Sequence, residues 1–386
     1  MFMNDKILSE LTKRFQEKFP DRKEVFLSSA PGRVNLIGEH TDYNNGYVMP
    51  LAIERRVYIA FSPNQSDHVN LFSINYGEHD FFTLPIISKS EKQWANYIRG
   101  IFKLLNDAGH NISGIDALIY GDIPIGAGLS SSAAIETAAI LAADHINETG
   151  ISTIEQIKLA QRCENEFVGV NCGIMDQLIS RMGMENYALM LDCKDLSCKP
   201  IAVNPNVVII VSDTGIKRNL NEVRYNLRRE ECEKACRLLE IGSLRDLTIE
   251  EFLDKKSQAL PEHIKRRTKH VLNENQRVIE TAIALNENNL MRAGKLMFAS
   301  HLSLKEDFEV SCPELDTMVE IAKSIKGVYG CRMTGAGFGG CTVSLVEKNS
   351  GENFINTMKI LYKKKTGLTP EIFATQPSKG ACVQRL

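Results

Sequence analysis

A single tryptophan, Trp94, occurs in 386 residues, and no apolar run approaches the roughly 20 residues that a membrane-spanning helix needs. Nor is there an excess of either charge. Lys and Arg total 46 against 48 Asp and Glu, a formal net charge of −2, whereas a general nucleic-acid surface calls for a clear basic excess. The ten cysteines include no Cys-x-x-Cys pair, and no histidine stands beside the nearest spacings, Cys193 to Cys198 and Cys232 to Cys236. That argues against a clustered zinc site and leaves reduced, buried thiols. Internal repeats and low-complexity tracts are absent. The first residues also lack the pattern of a signal peptide: Asp5, Lys6, Glu10, Lys13 and Arg14 alternate with Leu8, Leu11, Phe15 and Phe19 at helical spacing, which reads as an amphipathic helix. These absences leave small-molecule chemistry in a cytoplasmic protein, with no nucleic acid and no membrane among its partners.

What is present is concentrated in three glycine-containing segments. The first, Ala30 to Tyr43, packs Arg33, Asn35, Glu39, His40, Thr41 and Asp42 between glycines, where a plain core strand would alternate apolar residues. Glu39, His40 and Asp42 offer donors and acceptors over four residues, which suits a polyhydroxylated ligand, a sugar above all. Taken alone, the segment also fits a polar surface turn.

The second segment, Gly121 to Ala134, follows the apolar run Ile115–Tyr120 and leads into helix-forming sequence rich in alanine. Gly126, Ala127, Gly128, Leu129, Ser130, Ser131 and Ser132 therefore fall at a helix N-terminus, where free amides and the helix dipole favour an anion such as phosphate. The segment has neither the Lys of a Walker A loop nor a Gly-x-Gly-x-x-Gly, and by itself it fits an ordinary capped turn equally well. The third, Met333 to Cys341, precedes the strand-like Thr342–Val346. Its glycines imply unusual backbone dihedrals or close packing, in a ligand loop or in a simple hairpin connection.

Between these segments the pattern is mixed. Short β-rich runs (25–27, 57–61, 69–72 and 207–211) alternate with candidate helices over 95–108, 133–147, 154–168, 175–181, 220–239, 264–287 and 289–300. An α+β chain of about two domains is expected. The basic runs Lys265–Arg267 and Lys363–Lys365 lie in mixed-charge helical sequence and read as solvated faces.

The three segments, in this order, resemble the GHMP small-molecule kinases and within them the galactokinase family, from about Ala30 to Ala381. Gly38-Glu39-His40-Thr41-Asp42-Tyr43 resembles the family's sugar signature, the second segment its ATP-phosphate loop, and the third its C-terminal glycine motif. Ala336 stands where many members have glycine, which puts the local backbone angle in question.

The resemblance implies two domains, 1–195 and 196–386, with the active site in the cleft between them. It implies transfer of the ATP γ-phosphoryl group to the C1 hydroxyl of D-galactose, the entry into galactose catabolism by the Leloir pathway. By similarity Asp176 is the base that takes the hydroxyl proton, and Arg33 sits beside it. Sugar contacts would come from Glu39, His40, Thr41, Asp42, Gly173 and Tyr225. Ser132 and Glu164, rather than Glu166, would hold Mg²⁺, while Ser73 and Trp94 would lie near the nucleoside. Read without the resemblance, Asp176 is a carboxylate at a helix start, Tyr225 a packing residue, His40 a core histidine and Trp94 a core aromatic.

Two other readings stay open: another GHMP sugar kinase, or a non-catalytic sugar sensor of the same family. A polyol-binding cluster disfavours mevalonate, which carries one hydroxyl and a carboxylate. Such sensors are altered in the phosphate loop, whereas Gly128 to Ala134 is intact here. A monomer with no protein partner is expected.

Overall fold

A computed structural model describes residues 5–216 and 221–386. Its spine is β1 (Phe26–Asn35), which pairs antiparallel with β3 (Pro50–Pro63) and, at its start, with β13 (Cys382–Arg385). With β4 (His68–Ser73), β5 (Glu78–Thr83) and β6 (Ile115–Gly121) these form a six-stranded sheet in the order β13-β1-β3-β6-β4-β5. The residues from Ala30 to Asn35, rich in polar groups, are thus strand, with an irregularity between Pro31 and Arg33. The strand is buried on both faces and tolerates them because Arg33 is paired through all three of its nitrogens and Asn35 Oδ1 accepts the Met49 amide.

Helix α1 (Asp5–Lys18) lays Leu11 and Phe15 against one face of this sheet, with Leu27, Tyr58 and Leu118. The other face carries α3 (Ser131–Asn147), flanked by α2 (Gln93–Asp107), α4 (Thr153–Arg162) and α5 (Met175–Met182). Six alanines, Ala133, Ala134, Ala138, Ala139, Ala142 and Ala143, are buried along α3. They favour helix without side-chain entropy cost and let the helix approach the sheet closely.

A smaller sheet joins β2 (Tyr47–Val48), β7 (Tyr187–Asp192) and β8 (Cys198–Ala202). A third, in the order β10-β11-β9-β12, joins β9 (Val207–Asp213), β10 (Val328–Thr334), β11 (Cys341–Glu347) and β12 (Glu371–Thr375). Around it lie α6 (Asn221–Leu239), the single turn α7 (Ile249–Glu251), α8 (Glu262–Asn286), α9 (Leu290–Glu306), α10 (Pro313–Ser324) and α11 (Gly351–Thr366). One apolar cluster runs from Ala30 and Phe61 through Val278 and Met297 to Val343 and Leu345, so both large sheets share a core.

The structure bears on two sequence expectations, and part of a third falls outside the described residues. Position 195/196 falls in the turn of the β7–β8 hairpin, and β13 returns the end of the chain to the first sheet, so the body that contains β1 is not one continuous stretch of chain. The helix expected over 154–168 is α4 followed by a π-helical turn, Cys163–Val168. Leu220, expected to open the helix now seen from Asn221, lies outside the described residues.

Candidate active site

Beyond Asn35 the chain leaves β1 through two left-handed residues, Gly38 (φ 99°) and His40 (φ 64°). Thr41 closes this turn. It is fully buried, and its hydroxyl bonds the carbonyls of Gly38 (2.8 Å) and Tyr47 (2.7 Å). Its side chain therefore holds the loop rather than facing the cleft where sugar contacts were expected. Glu39, His40 and Asp42 do line that cleft, whose volume is about 650 Å³. Glu39 Oε1 accepts from the Gly335 amide (2.8 Å), Thr334 Oγ1 (3.1 Å) and Arg332 Nη1 (3.3 Å), so the third glycine segment braces the first.

Burial, reinforced by nearby His270, Arg228 and Arg332, pushes His40 down to about 3, so the imidazole is neutral. Its Nδ1 meets the Tyr43 hydroxyl at 2.9 Å, while Nε2 is buried with no hydrogen-bond partner among the described residues. Burial and the neighbouring Asp176 carboxylate push Asp42 up to about 7. Gly173 lies directly against it: a Cβ there would stand 1.8 Å from Asp42 Oδ2.

The second segment runs from the end of β6 to the start of α3 with Gly126, Gly128 and Ser130 all at positive φ. Ser130 occupies the N-cap position of α3, but its hydroxyl bonds Asp176 Oδ2 and makes no cap. The uncapped helix end, with Ser131 and Ser132, faces the cleft and presents its amides and dipole to an anion. Ala127 and Leu129 turn their side chains into the core and can offer only backbone. Gly32 lets β1 come up beneath this loop, since a Cβ would stand 2.6 Å from the Leu129 carbonyl.

Asp176, in the first turn of α5, sits between the two ends of the cleft. Arg33 donates to both of its oxygens, Nε to Oδ1 and Nη2 to Oδ2, each at 2.7 Å. Arg33 Nη1 also donates to the Gly128 carbonyl at 2.6 Å, tying β1, the phosphate loop and α5 together. Glu164 lies nearby, buried and lining the cleft. Burial and Asp176 push it up to about 7, with the Ser132 hydroxyl opposing. The π turn carries Glu164 inward and leaves Glu166 outside, exposed and paired with Arg162. Ser132 and Glu164 thus form an oxygen-donor pair beside the helix end, in surroundings that a hard divalent cation would relieve.

At the far end Ser73, Trp94 and Tyr76 line the cleft. Trp94 packs parallel to Tyr76 (centroids 6.3 Å apart, 9° between planes) and donates Nε1–H to Glu78 (2.8 Å). Tyr225 reaches the sugar end from α6, its ring 5.6 Å from His40 and 5.5 Å from Tyr43. Ala336 also lines the cleft. Among the described residues its φ is not positive, whereas those of Gly335, Gly337, Phe338, Gly339 and Gly340 are, so its Cβ meets none of the strain that a positive φ would impose.

Sequence reasoning missed Arg332, Glu136 and Gln177. Gln177 Nε2 donates to Glu164 Oε2 (2.7 Å) and to Glu136 Oε2 (3.4 Å), and Glu136 is a fully buried carboxyl that burial keeps protonated far above its usual range. The signal for Arg332 and Glu136 was a charged residue inside an otherwise apolar strand or helix, Gly330-Cys331-Arg332-Met333 and Ala134-Ile135-Glu136-Thr137.

Comparison with known proteins agrees with this geometry. The galactokinase galactose-binding signature matches residues 13–63, the GHMP kinases N terminal domain residues 96–184 and the GHMP kinases C terminal domain residues 281–364. A galactokinase of Roseiflexus sp. (strain RS-1) is 44% identical over 376 residues, which cover 96% of each chain. The crystal structure of Lactococcus lactis galactokinase complexed with galactose superposes with a TM-score of 0.94 at 36% identity, covering 97% of this chain and 99% of that one. Methanococcus jannaschii mevalonate kinase shares the fold, with a TM-score of 0.64 at 22% identity over 92% of this chain and 98% of the other. This chain, a two-domain α+β protein, belongs to the galactokinase family of the GHMP kinases.

Proposed function

We infer that the chain is an ATP-dependent kinase that phosphorylates D-galactose at its C1 hydroxyl, as expected of a galactokinase. One observation carries the residue-level reading: the uncapped start of α3 and the Glu39-His40-Asp42 cluster open into one cleft, with Asp176 between them. The helix end and its serines receive the ATP phosphates, and Ser73, Tyr76 and Trp94 receive the nucleoside. Glu39, His40, Asp42 and Tyr225 receive the sugar, and Gly173 leaves room for Asp42. Asp42 at about 7 is half protonated near neutral pH, so it serves a sugar hydroxyl as donor or as acceptor.

An ionised carboxylate has about four acceptor directions. Arg33 and Ser130 take three on Asp176, which leaves room for about one sugar hydroxyl. Asp176 thus orients the C1 hydroxyl and accepts its proton as the bond to phosphorus forms. Arg33, fixed by three bonds, orients the Asp176 carboxylate and places positive charge where negative charge develops on the moving phosphoryl group. Ser132 and Glu164 would hold Mg²⁺. Two protein oxygens suffice for an ion that keeps waters and phosphate oxygens as its other ligands. When bound, Mg²⁺ neutralises charge on the ATP phosphates.

The galactose end rests on hydroxyl recognition, so a panel of sugars in an ADP-release assay is the direct test. Galactose should be turned over with Mg-ATP, and glucose, which misplaces one hydroxyl, at least about a hundredfold less efficiently in kcat/KM. Comparable rates on glucose or N-acetylgalactosamine would overturn the substrate reading. Binding of both ligands without ADP release would favour a sensor.

A further inference from the structure

The sugar loop belongs to the body built on β1, yet much of what holds it comes from the other half of the chain. Glu274 Oε1, on α8, accepts the Gly38 amide at 2.9 Å and the Ser300 hydroxyl, on α9, at 2.6 Å. His270 Nε2 meets the Glu39 carbonyl at 3.2 Å. At the centre lies Arg332, on β10, whose side chain is fully buried. Its Nε donates to Ser300 Oγ at 3.1 Å, and its Nη1 donates both to the Asn35 carbonyl at 3.0 Å and to Glu39 Oε1 at 3.3 Å. Nη2 is buried without a hydrogen-bond partner among the described residues. A desolvated guanidinium left partly unpaired costs stability, and a packed apolar side chain would serve the fold alone as well or better.

The position of Glu39 gives this arrangement a purpose. Arg332, Thr334 and the Gly335 amide all bond Oε1. Three donors on one oxygen fix the plane of the carboxylate and leave Oε2 as the atom offered to the cleft. A carboxylate that reads a sugar hydroxyl must be held within about 0.5 Å and 10–20° of its productive geometry.

We propose that Arg332 is a positioning residue that sets sugar selectivity by fixing the Glu39 carboxylate. The proposal rests on the reading of Glu39 as a sugar contact.

The test is a double-mutant cycle. Arg332→Lys keeps the charge but loses the planar fork that serves Ser300, Asn35 and Glu39 at once. It should raise the galactose KM about tenfold and narrow the galactose-over-glucose ratio, while kcat and the ATP KM change less than about threefold. In a Glu39→Gln background the same change should move the galactose KM less than about twofold, because the group it positions is already altered. Equal effects in both backgrounds, or parallel losses in kcat and in both KM values, would reduce Arg332 to a structural role and overturn the proposal.

Thr334→Val, with Thr334→Ser as the conservative rescue, repeats the cycle through a neutral donor to the same oxygen should the Arg332 variant fail to fold. Coupling to Glu39 with rescue by Ser supports the proposal, and additivity overturns it. A wild-type protein that does not phosphorylate galactose would remove the functional reading first, an outcome distinct from additive variants of an active enzyme.

Discussion

Arg33 and Asp176, 143 positions apart in sequence, meet through two parallel hydrogen bonds of 2.7 Å at the centre of the cleft. Such a bidentate pair fixes both groups in orientation as well as in charge. It also connects the strand that leads to the sugar loop with the helix that follows Gly173, so neither can move without the other.

The first prediction follows from that pair. Asp176→Asn keeps the side-chain shape but removes the charge and most of the proton affinity, and should lower kcat about a hundredfold or more while galactose still binds. Arg33→Ala leaves the partly buried Asp176 carboxylate with only Ser130 and should lower kcat comparably. Steady-state rates with a separate galactose-binding measurement decide the matter. Near-normal kcat in the Asn variant would show that the proton leaves by another route.

The two carboxylates of the π turn make opposite predictions. Glu164→Gln removes a buried charge that faces the cleft and should shift the Mg²⁺ titration of activity to higher concentration, with less effect on galactose affinity. Glu166→Gln breaks only an exposed pair with Arg162, of a type that contributes about 0.3–0.5 kcal/mol, and should leave the titration where it was. A metal titration of the two variants side by side would expose an exchanged assignment at once.

The difference between these two glutamates shows what could be read before the fold was known. Local motifs carried the site: Glu39, His40, Asp42 and Ser132 come from short segments whose residue types announce chemistry. The α3 helix was also readable, because its alanine-rich run favours helix by itself. The partition of Glu164 from Glu166 is a matter of helical phase, and the π turn that sets it has no marker in the sequence. The role of Arg332 was hidden for another reason, although a charge inside an apolar strand marked the residue. Its meaning lies entirely in contacts with Asn35, Glu39 and Ser300, at sequence separations of 297, 293 and 32. Thr41 shows the converse: a polar residue within a sugar signature whose hydroxyl is spent on two loop carbonyls.

Each buried histidine predicts a pH-dependent contribution to stability. Burial depresses His40 to about 3 and His270 to about 4, from an ordinary value near 6.5. Around His40 the nearby charges are Arg228 and Arg332, and around His270 they are Glu274, Arg277 and Asp307. The unfolded chain binds protons first, so the contribution of each imidazole is complete above about pH 6.5 and declines as pH falls towards 4 and then 3. By pH 5 each should have cost about 2 kcal/mol. Glu274, held near 2 by Arg277 against its own burial, adds a loss only below about pH 4.5. Asp42 and Glu164, both held near 7, gain stability over the same interval, so the imidazole contribution is read as a difference between proteins. Denaturant unfolding at pH 7.5 and pH 5.0 should show His270→Gln gaining about 2 kcal/mol relative to the wild type on acidification, and an identical pH dependence in the two proteins would mean that His270 is not kept neutral by the fold.

The last prediction concerns a residue with no side chain. Gly173 has ordinary backbone angles, since among the described residues it is absent from those with positive φ, so strain is not what demands glycine there. Space is. A Cβ would stand 1.8 Å from Asp42 Oδ2 and 2.4 Å from its Cγ, closer than any non-bonded contact allows. In Gly173→Ala, Asp42 must swing away or the segment before α5 must retreat. The first displaces a proposed sugar contact, and the second moves Asp176, three residues on. Either way the galactose KM should rise by tenfold or more on the scale of a lost hydrogen bond to a charged group, about 1.5–3 kcal/mol. The ATP KM should change little, because Ser131 and Ser132 at the start of α3 are untouched. The two routes separate in kcat: movement of Asp42 alone leaves it nearly intact, whereas movement of Asp176 lowers it. An Ala variant with wild-type galactose KM would show that Asp42 gives way without cost, and would remove it from the sugar site.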